Sequence, residues 1–539
     1  MSSKSFLPSL PDRRLWLSLA WCVLSVALPI NGAPGTDYFL TIGGGYEPSG
    51  NQASLEANVL FFQQVLQEKH TGGRTQATFF ADGSDPQADL QVLSKATAAN
   101  TSNEDNFAES VTSLLVRLNS FRGNQGQSVE YRNHRVPNVS GANSPSGIHA
   151  SLTHMCRSMT AGDRLIVYVT AHGSEADGRN KFNTSISCWD EQAITAREFE
   201  NWLDEVPETV PVVMIMAQCY CGGFAHTIFE AADRKQGLAK QPRVGFFAQQ
   251  HDLPAAGCRP DIENDEEYSS FFWGAVVGRS RTGKKMTSAD FDGDGKVSFA
   301  EAHAHAMLTS QTIDIPLRSS EALLRTFSAI GGGYDHRRSD DVDLPTTSEA
   351  DGQRVELELV PMSGTVREIS KGSALELQHT VAGLLTQLEL SPDDDVTSVF
   401  MRFEDQRKIS SNLRRQSSRS RRSGSGRREL RAEIVEKWPE LGDRQWREAE
   451  ILHGPAHSDL LAEVKKLPSY SRYIENQQAR EKTSAAMEQA ELREVKFQRL
   501  INTLEAIVLA KNLSQLAASE VVEHYRRMIE LEQSNLVKK

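Results

Sequence analysis

A cysteine and a histidine each follow a strongly apolar run of the sequence. Cys219 comes just after Val212–Ala217, and His172 comes directly after Leu165–Ala171. Runs this rich in Val and Ile are typical of parallel strands buried on both faces, and open parallel sheets bind ligands beyond the carboxyl ends of their strands. Neighbouring strands lie about 4.8 Å apart, so a thiol and an imidazole at two such ends can reach one substrate bond. The spacing therefore predicts a cysteine–histidine dyad at one edge of a sheet.

Glycines accompany both residues. Gly173 follows the histidine, and Gly222 and Gly223 follow the cysteine. Because glycine has no Cβ, backbone N–H groups at these positions can approach a substrate carbonyl and stabilise the charge that develops on its oxygen. Taken singly, a cysteine is more often an inert core residue and a histidine more often a structural one. Their joint occurrence at two strand ends favours catalysis.

Two motifs resemble those of the caspase-like cysteine peptidases, a group that includes legumains, caspases, metacaspases and gingipains. They are Ala171-His172-Gly173-Ser174 and Gln218-Cys219-Tyr220-Cys221-Gly222-Gly223-Phe224, and the resemblance extends over about residues 36 to 330. The resemblance is greatest to legumain-type and bacterial caspase-like proteins. It implies a caspase-like α/β sandwich, with a mostly parallel central sheet flanked by helices. It also implies that Cys219 is the nucleophile, that His172 is the general base, and that the backbone amides of Gly173 and Cys219 bind the oxyanion.

The sequence departs from the family pattern at two positions. Cys221 stands where the family has a small residue or serine, so either cysteine is a possible nucleophile. Cys219 is favoured because Gly222 then falls at the position of the family's turn glycine. Gln218 stands where legumains have alanine, which affects the subfamily and not the chemistry. In the family the thiol and the imidazole are usually too far apart for an ion pair, which implies that His172 acts mainly on the leaving group.

An acidic stretch follows the predicted strand Val244–Ala248 and includes Asp252 and Asp261. In caspase-like peptidases the segment after this strand helps to line the pocket for the residue before the cut. An acidic lining favours Arg or Lys there through charge complementarity. A solvated surface loop is an equally good interpretation of these carboxylates.

Residues 290–301 match the calcium-binding loop of an EF-hand at every diagnostic position. The loop offers calcium ligands at positions 1, 3, 5, 7 and 12, namely Asp290, Asp292, Asp294, the carbonyl of Lys296, and Glu301. An acidic solvated turn is the alternative interpretation. Because the sequence contains one such loop, it predicts a single structural Ca²⁺ and not a paired calcium sensor. No organic cofactor is predicted.

The first 33 residues have the character of a secretory signal peptide. Basic residues precede the apolar stretch Leu15–Ile30, and small residues end at Ala33. We therefore expect a secreted or periplasmic protein, although Pro34 disfavours cleavage after Ala33 and leaves a membrane association through an uncleaved leader open. One of the six cysteines, Cys22, lies in the leader. The remaining number is odd, so at least one thiol is free, while the others can form up to two disulfides.

The chain divides into several predicted regions. Strand-like and helix-like runs alternate over 36–335, which indicates an α/β peptidase domain. Residues 336–410 are predicted to be an acidic linker with a small segment, and the Arg/Ser-rich residues 411–428 a solvated linker. The apolar periodicity of residues 429–539 predicts a mainly helical region. By its layout this region resembles the helical prodomain of legumains, which implies an inhibitory cap or a partner-binding surface.

The sequence thus predicts a secreted, calcium-associated cysteine endopeptidase that acts on peptides or proteins through an acyl-thioester on Cys219. The net charge of −12 argues against general nucleic-acid binding. Two other functions stay open. One is a legumain-type transpeptidase, and the other is a catalytically silent calcium-binding scaffold whose helical C-terminus binds a partner. The presence of both His172 and Cys219 argues against the scaffold.

Overall fold

The centre of the computed structural model is a six-stranded sheet. The structure describes residues 35–93, 112, 114, 115, 118, 129–256, 267–332, 347–350, 353–422, 425–443, 446–453 and 457–536. The strands are β1 Asp37–Gly44, β2 Arg74–Phe80, β3 Leu90–Leu93, β4 Val129–Arg132, β5 Arg164–Ala171, β6 Gly173–Ser174, β7 Ser185–Ser187, β8 Ala193–Thr195, β9 Val212–Met216, β10 Arg243–Phe247, β11 Leu317–Arg318, β12 Thr347–Ala350 and β13 Gln353–Glu356. The predicted leader lies outside the described residues.

The order of strands in the main sheet is β11-β10-β9-β5-β1-β2. All neighbours are parallel except β10 and the short edge strand β11, which are antiparallel. Every residue of β5 and of β9 is buried, as the continuous apolar runs predict for central parallel strands. The predicted α/β class with a mostly parallel sheet is therefore confirmed.

The helices are α1 Ala53–Lys69, α2 Pro145–Cys156, α3 Ala196–Leu203, α4 Tyr268–Val277, α5 Phe299–Thr309, α6 Ser319–Phe327, α7 Val366–Ser370, α8 Leu375–Leu388, α9 Val396–Arg422, α10 Ser425–Lys437, α11 His457–Lys465, α12 Pro468–Leu516 and α13 Ser519–Glu532. Crossovers between parallel strands are right-handed as a rule. From β1 the chain moves to β2 at one side and then back across the sheet to β5 and β9, so this rule places α1 on one face and α2 and α3 on the other. Among the described residues, no helix has both the length and the apolar character that crossing a bilayer requires.

The C-terminal helices share the core of the sheet domain. Phe497, Leu500 and Leu504 of α12 are buried in the same hydrophobic cluster as β5 and β9. The N-terminal part of α12 packs in a second cluster with α10 and α11, around Leu430, Leu460 and Tyr473. The helical region predicted for residues 429–539 is therefore present.

The two predicted linkers differ from what the structure contains. Residues within 336–410 form α7, α8 and the start of α9, and the Arg/Ser-rich run continues α9 as far as Arg422. Opposite charge on a neighbouring helix explains part of this order, because Arg414 pairs with Glu491 and Glu494 of α12. Composition alone indicated a solvated segment, since it carries no information about that partner helix.

Candidate functional site

The ends of β5 and β9 bring the predicted histidine and cysteine together. These strands are neighbours, in a register that pairs Val169 with Met216, and the N–H of Ala217 donates to the carbonyl of Val169 at 2.9 Å. His172 directly follows the last residue of β5, and Cys219 lies in the turn that begins after β9 ends at Met216. Gly173 confirms the approach, because a Cβ at that position would overlap the carbonyl oxygen of Cys219.

The imidazole of His172 is held through Nε2. This nitrogen lies 2.8 Å from the carbonyl oxygen of Gly50 and 2.8 Å from Oε1 of Gln52. A backbone carbonyl only accepts hydrogen bonds, so Nε2 carries the proton of the neutral ring and donates. Nδ1 is then the basic nitrogen, and no described residue hydrogen-bonds to it. Burial lowers the pKa of His172, an effect that the carbonyl of Gly50 opposes, so the ring is neutral near pH 7.

The loop that holds the imidazole is itself fixed by a buried asparagine. Oδ1 of Asn51 accepts from the N–H of Gly45 at 3.0 Å, and Nδ2 donates to the carbonyl and to Oδ2 of Asp89, at 3.1 and 3.2 Å. Asn51 and Asp89 are both buried. Tyr46 adds an edge-to-face contact with the ring of His172, with 5.4 Å between the centroids. Sequence reasoning missed Asn51 and Gln52, because nothing in a loop before α1 marks it as the neighbour of a distant strand end.

Cys219 lies in a turn after β9, and its sulfur receives a backbone hydrogen bond. The N–H of Ala255 lies 3.3 Å from Sγ, and the carbonyl of the same residue lies 3.7 Å from it. The side chain is only partly buried.

A chain of hydrogen bonds connects this support to the interior. Oδ1 of Asp314 accepts from the N–H of Ala256 at 2.7 Å, and Oδ2 accepts from the hydroxyl of Thr312 at 2.8 Å. Burial raises the pKa of Asp314 to about 6, and its hydrogen-bond donors oppose the rise. The loop that contains Asp314 thus fixes Ala256, which is adjacent to Ala255, the donor of the hydrogen bond to Cys219.

Arg499 of α12 holds that loop from the other side. Its guanidinium is buried and donates to four backbone carbonyls, those of Met307, Ser310, Thr312 and Asp314, at distances from 2.7 to 3.1 Å. Burial lowers the pKa of Arg499 to about 10, so the side chain is charged at neutral pH. The C-terminal region was predicted only as helices, so no sequence pattern indicated that Arg499 supports the loop next to Cys219.

Cys221 is a structural residue. Its thiol is buried, lies 3.3 Å from the N–H of Gln249 and 3.5 Å from the carbonyl of the same residue, and burial raises its pKa. Of the two thiols, only that of Cys219 is accessible enough to meet a substrate, which favours it as the candidate nucleophile. None of the described cysteines 156, 188, 219 and 221 forms a disulfide, and Cys258 lies outside the described residues.

The three glycines do not share one role. Gly222 is buried, and a Cβ there would lie 2.8 Å from the carbonyl oxygen of Gln249 and from the nitrogen of His251. A Cβ on Gly223 would overlap Thr184 and the carbonyl of Phe182. These two glycines therefore allow close packing within the protein, and the N–H of Gly223 donates to the carbonyl of Tyr220 at 3.2 Å. Gly173 is the glycine that packs against the backbone of Cys219.

The predicted pocket carboxylates are less informative. The side chain of Asp252 is 63% exposed and lies 4.0 Å from Nδ1 of His251. Asp261 lies outside the described residues. Of the two carboxylates, the structure therefore places Asp252 near the end of β10, in the exposed position expected of a surface loop.

The predicted calcium loop brings its three aspartates together, whereas both carboxylate oxygens of Glu301 accept hydrogen bonds from the protein, from Phe291 and from Ser298. Carboxylate oxygens of Asp290, Asp292 and Asp294 lie within 4.8 Å of one another. The carboxylate of Asp290 accepts from the N–H groups of Gly293 and Gly295 at 2.8 and 3.0 Å, which curls the loop around it. Glu301 lies in the first turn of α5, where Oε1 accepts from the N–H of Phe291 at 2.7 Å. An oxygen-only donor set of this kind fits a hard cation such as Ca²⁺.

Comparisons with known proteins add little to this geometry. No family model matches the chain, and no curated protein matches it. Among solved structures, protein GSU0716 from Geobacter sulfurreducens is similar with a TM-score of 0.29 and 11% identity, over 53% of this chain and 92% of that chain. A similarity this weak supports no inference, so any function must be argued from the residues themselves.

Proposed function

We propose that this protein is a cysteine peptidase with Cys219 as nucleophile and His172 as general base. One observation carries the proposal: His172 and Cys219 follow the carboxyl ends of two neighbouring parallel strands, and Gly173 packs against the backbone carbonyl of Cys219. The carboxyl edge of a parallel sheet is where α/β proteins bind and transform their substrates.

The reaction starts with attack of the Cys219 sulfur on the substrate carbonyl carbon. The thiol proton passes to Nδ1 of His172, and the carbonyl oxygen becomes an oxyanion. We assign its stabilisation to the backbone N–H groups of Gly173 and Cys219. The imidazolium then gives its proton to the leaving amine, the C–N bond breaks, and an acyl-thioester remains on Cys219.

Water completes the cycle. His172 takes a proton from the water as it attacks the thioester, and then returns that proton to the Cys219 sulfur. An amine in place of water yields a new peptide bond, so hydrolysis and transpeptidation differ only in the acceptor. The lowered pKa of His172 suits both steps, because the ring is available as a base at neutral pH and its conjugate acid gives up a proton readily.

The proposal also covers the metal ion, the cellular compartment, the substrate and the C-terminal helices. Ca²⁺ in the 290–301 loop would be held by Asp290, Asp292, Asp294, the Lys296 carbonyl and Glu301, and it would supply rigidity beside α5. The 1–33 leader would direct the protein to an extracytoplasmic compartment. The substrate would be a peptide or protein, and its preferred residue before the cut depends on the segment that contains Asp252 and Asp261. The C-terminal helices would act as an inhibitory or partner-binding region.

Turnover of a fluorogenic peptide set tests the proposal. Peptides with Arg, Lys, Asn or Asp before the reporter are given to the wild type and to Cys219→Ala, with and without calcium. We expect one peptide class to be cleaved by the wild type and none by the variant. Cys221→Ala is the matched control, because it removes the neighbouring buried thiol and should leave turnover intact.

Two results would count against the proposal. Turnover that persists in Cys219→Ala would place the nucleophile elsewhere. An inert wild type, with all four peptides and with calcium, would favour the scaffold function instead.

A further inference from the structure

A cavity of about 330 Å³ lies against the calcium loop on the side of the C-terminal region. Its lining combines three parts of the chain: Asp292, Asp294, Lys296, Ser298 and Glu301 from the loop, Ala374, Leu375 and Glu376 from the start of α8, and Gln533 and Asn535 from the segment after α13. The loop was predicted as a self-contained site, and sequence reasoning gave no role to the other two parts.

The loop contacts both of these parts directly. The ring of Phe291 stacks on that of His379 in α8, with 4.8 Å between the centroids and 17° between the planes. On the other side, the N–H of Phe299 donates to the carbonyl of Ser534 at 2.9 Å, and the hydroxyl of Ser298 donates to Oε1 of Gln533 at 3.3 Å. These contacts hold the loop, α8 and the C-terminal segment together around the cavity.

Glu376 is the unexplained side chain in this cavity. It is 5% exposed, yet no described residue donates a hydrogen bond to its carboxylate or forms an ion pair with it. The buried cation in the vicinity, Arg318, attracts Glu376 electrostatically, but its close ion pairs are with Glu532 at 2.9 Å and Glu321 at 3.6 Å. Lys296 is the cation in the cavity lining itself. A buried carboxylate without a hydrogen-bond donor or a close ion pair is costly, because attraction from a distance does not replace its lost hydration.

The other carboxylates of the cavity make the burial of Glu376 still less favourable. Asp292, Asp294 and Glu301 line the same space and carry the same charge. A divalent cation among them removes the repulsion and supplies the missing partner. The available ligands are all oxygens, and Ca²⁺ accepts six to eight of them in flexible geometry.

We propose that Glu376 is a further ligand of the cation bound by the 290–301 loop, directly or through one water. The ion then connects the loop to α8 and ties the C-terminal helical region to the sheet domain. This inference rests on the calcium site of the proposed function and not on the peptidase activity. It gives the ion a second role, since calcium then stabilises the packing of α8 as well as the loop.

Calcium titration of the full chain tests the inference. Binding is measured by isothermal titration calorimetry for the wild type, Glu376→Gln, Asp290→Asn and the control Glu389→Gln, which removes an 84% exposed carboxylate just beyond the other end of α8. We expect Glu376→Gln to weaken calcium binding by about tenfold or more, as the loss of a ligand or of its supporting group does. Glu389→Gln should bind calcium as the wild type does.

Thermal unfolding provides a readout that does not depend on activity. Without calcium, Glu376→Gln should melt at a higher temperature than the wild type, because the unpaired charge is gone. With saturating calcium the order should reverse, since the wild type gains more from the ion. A structural role of Glu376 without the ion predicts instead that the variant is the less stable protein in both conditions.

The outcomes separate this inference from the calcium site itself. If Asp290→Asn loses calcium while Glu376→Gln binds it like the wild type, the loop binds the ion and Glu376 is not a ligand. If the wild type binds no calcium, or Asp290→Asn binds it unchanged, the proposed loop site fails and this inference fails with it. Glu376→Asp, which keeps the charge on a shorter side chain, should fall between the wild type and Glu376→Gln.

Discussion

His172 and Cys219 stand at the ends of neighbouring strands, but they are supported in different ways. The imidazole is held directly by one short loop, through Gly50 and Gln52, with Asn51 fixing that loop to Asp89. The sulfur is held by the N–H of Ala255, and the next residue, Ala256, donates to the carboxylate of Asp314. Arg499 of α12 in turn donates to the backbone carbonyl of Asp314. The groups that contact the imidazole are uncharged, whereas the cysteine support extends into the C-terminal region and contains the buried charge of Arg499.

This difference bears on how the C-terminal helices are understood. A removable cap should leave the catalytic domain intact when it departs. Arg499, however, occupies a cage of four carbonyls inside the sheet domain, and α12 contributes Leu500 and Leu504 to the main core. We therefore expect the part of α12 around Arg499 to be required for the fold, whatever the rest of the region does.

The largest effect should come from breaking the cysteine support at its far end. Arg499→Leu leaves several buried carbonyls without donors, so we expect the free energy of unfolding to fall by about 3–5 kcal/mol. Denaturant titration measures this. Arg499→Lys, which keeps the charge with fewer donors, should lose less. If Arg499→Leu is as stable as the wild type, the claim that the support of Cys219 depends on a buried charge is wrong.

A pH series tests the middle of the same support. The pKa of Asp314 is raised from its ordinary 3.8 to about 6 by burial, so the folded protein binds this proton more tightly than the unfolded chain does. The stability from this group is thus full below pH 4 and is lost as the pH rises to 6, by about 3 kcal/mol. The difference in unfolding free energy between wild type and Asp314→Asn should fall by that amount over this range. A difference that does not change with pH would contradict the assigned burial.

The histidine support should be weaker and more specific. Gln52→Ala removes one neutral hydrogen bond from Nε2, so we expect peptide turnover to fall about five- to tenfold, corresponding to about 1 kcal/mol. The free energy of unfolding should change little. Steady-state kinetics and denaturant titration together check this, and a stability loss as large as that of Arg499→Leu would remove the contrast between the two supports.

A charge beside the imidazole should move the pH profile without changing the fold. Burial lowers the pKa of His172, so the acid limb of kcat/KM should lie below pH 6.5 in the wild type. Gln52→Glu places a carboxylate near Nε2, which raises the pKa and should move the acid limb upward by about one unit. Gln52→Ala is the control for loss of the hydrogen bond alone. An acid limb that stays in place in Gln52→Glu would mean that another group sets it.

The sequence predicted the parts that depend on continuous patterns. The apolar runs before His172 and Cys219 identified β5 and β9. The supports were out of reach, because hydrogen bonds from His172 to Gln52 or from Arg499 to Asp314 join residues far apart in the chain. The Arg/Ser-rich run shows the same limit, since its helix is stabilised by acidic residues of α12.

The most direct test of the account is the rate at which an electrophilic peptide labels the individual cysteines, followed by intact mass and peptide mapping. We predict a single fast label on Cys219 in the wild type and in Cys221→Ala. The rate should fall about 10²- to 10⁴-fold in His172→Ala, because the base is lost. Equal, slow labelling of Cys156 and Cys219, unaffected by His172→Ala, would contradict a catalytic dyad.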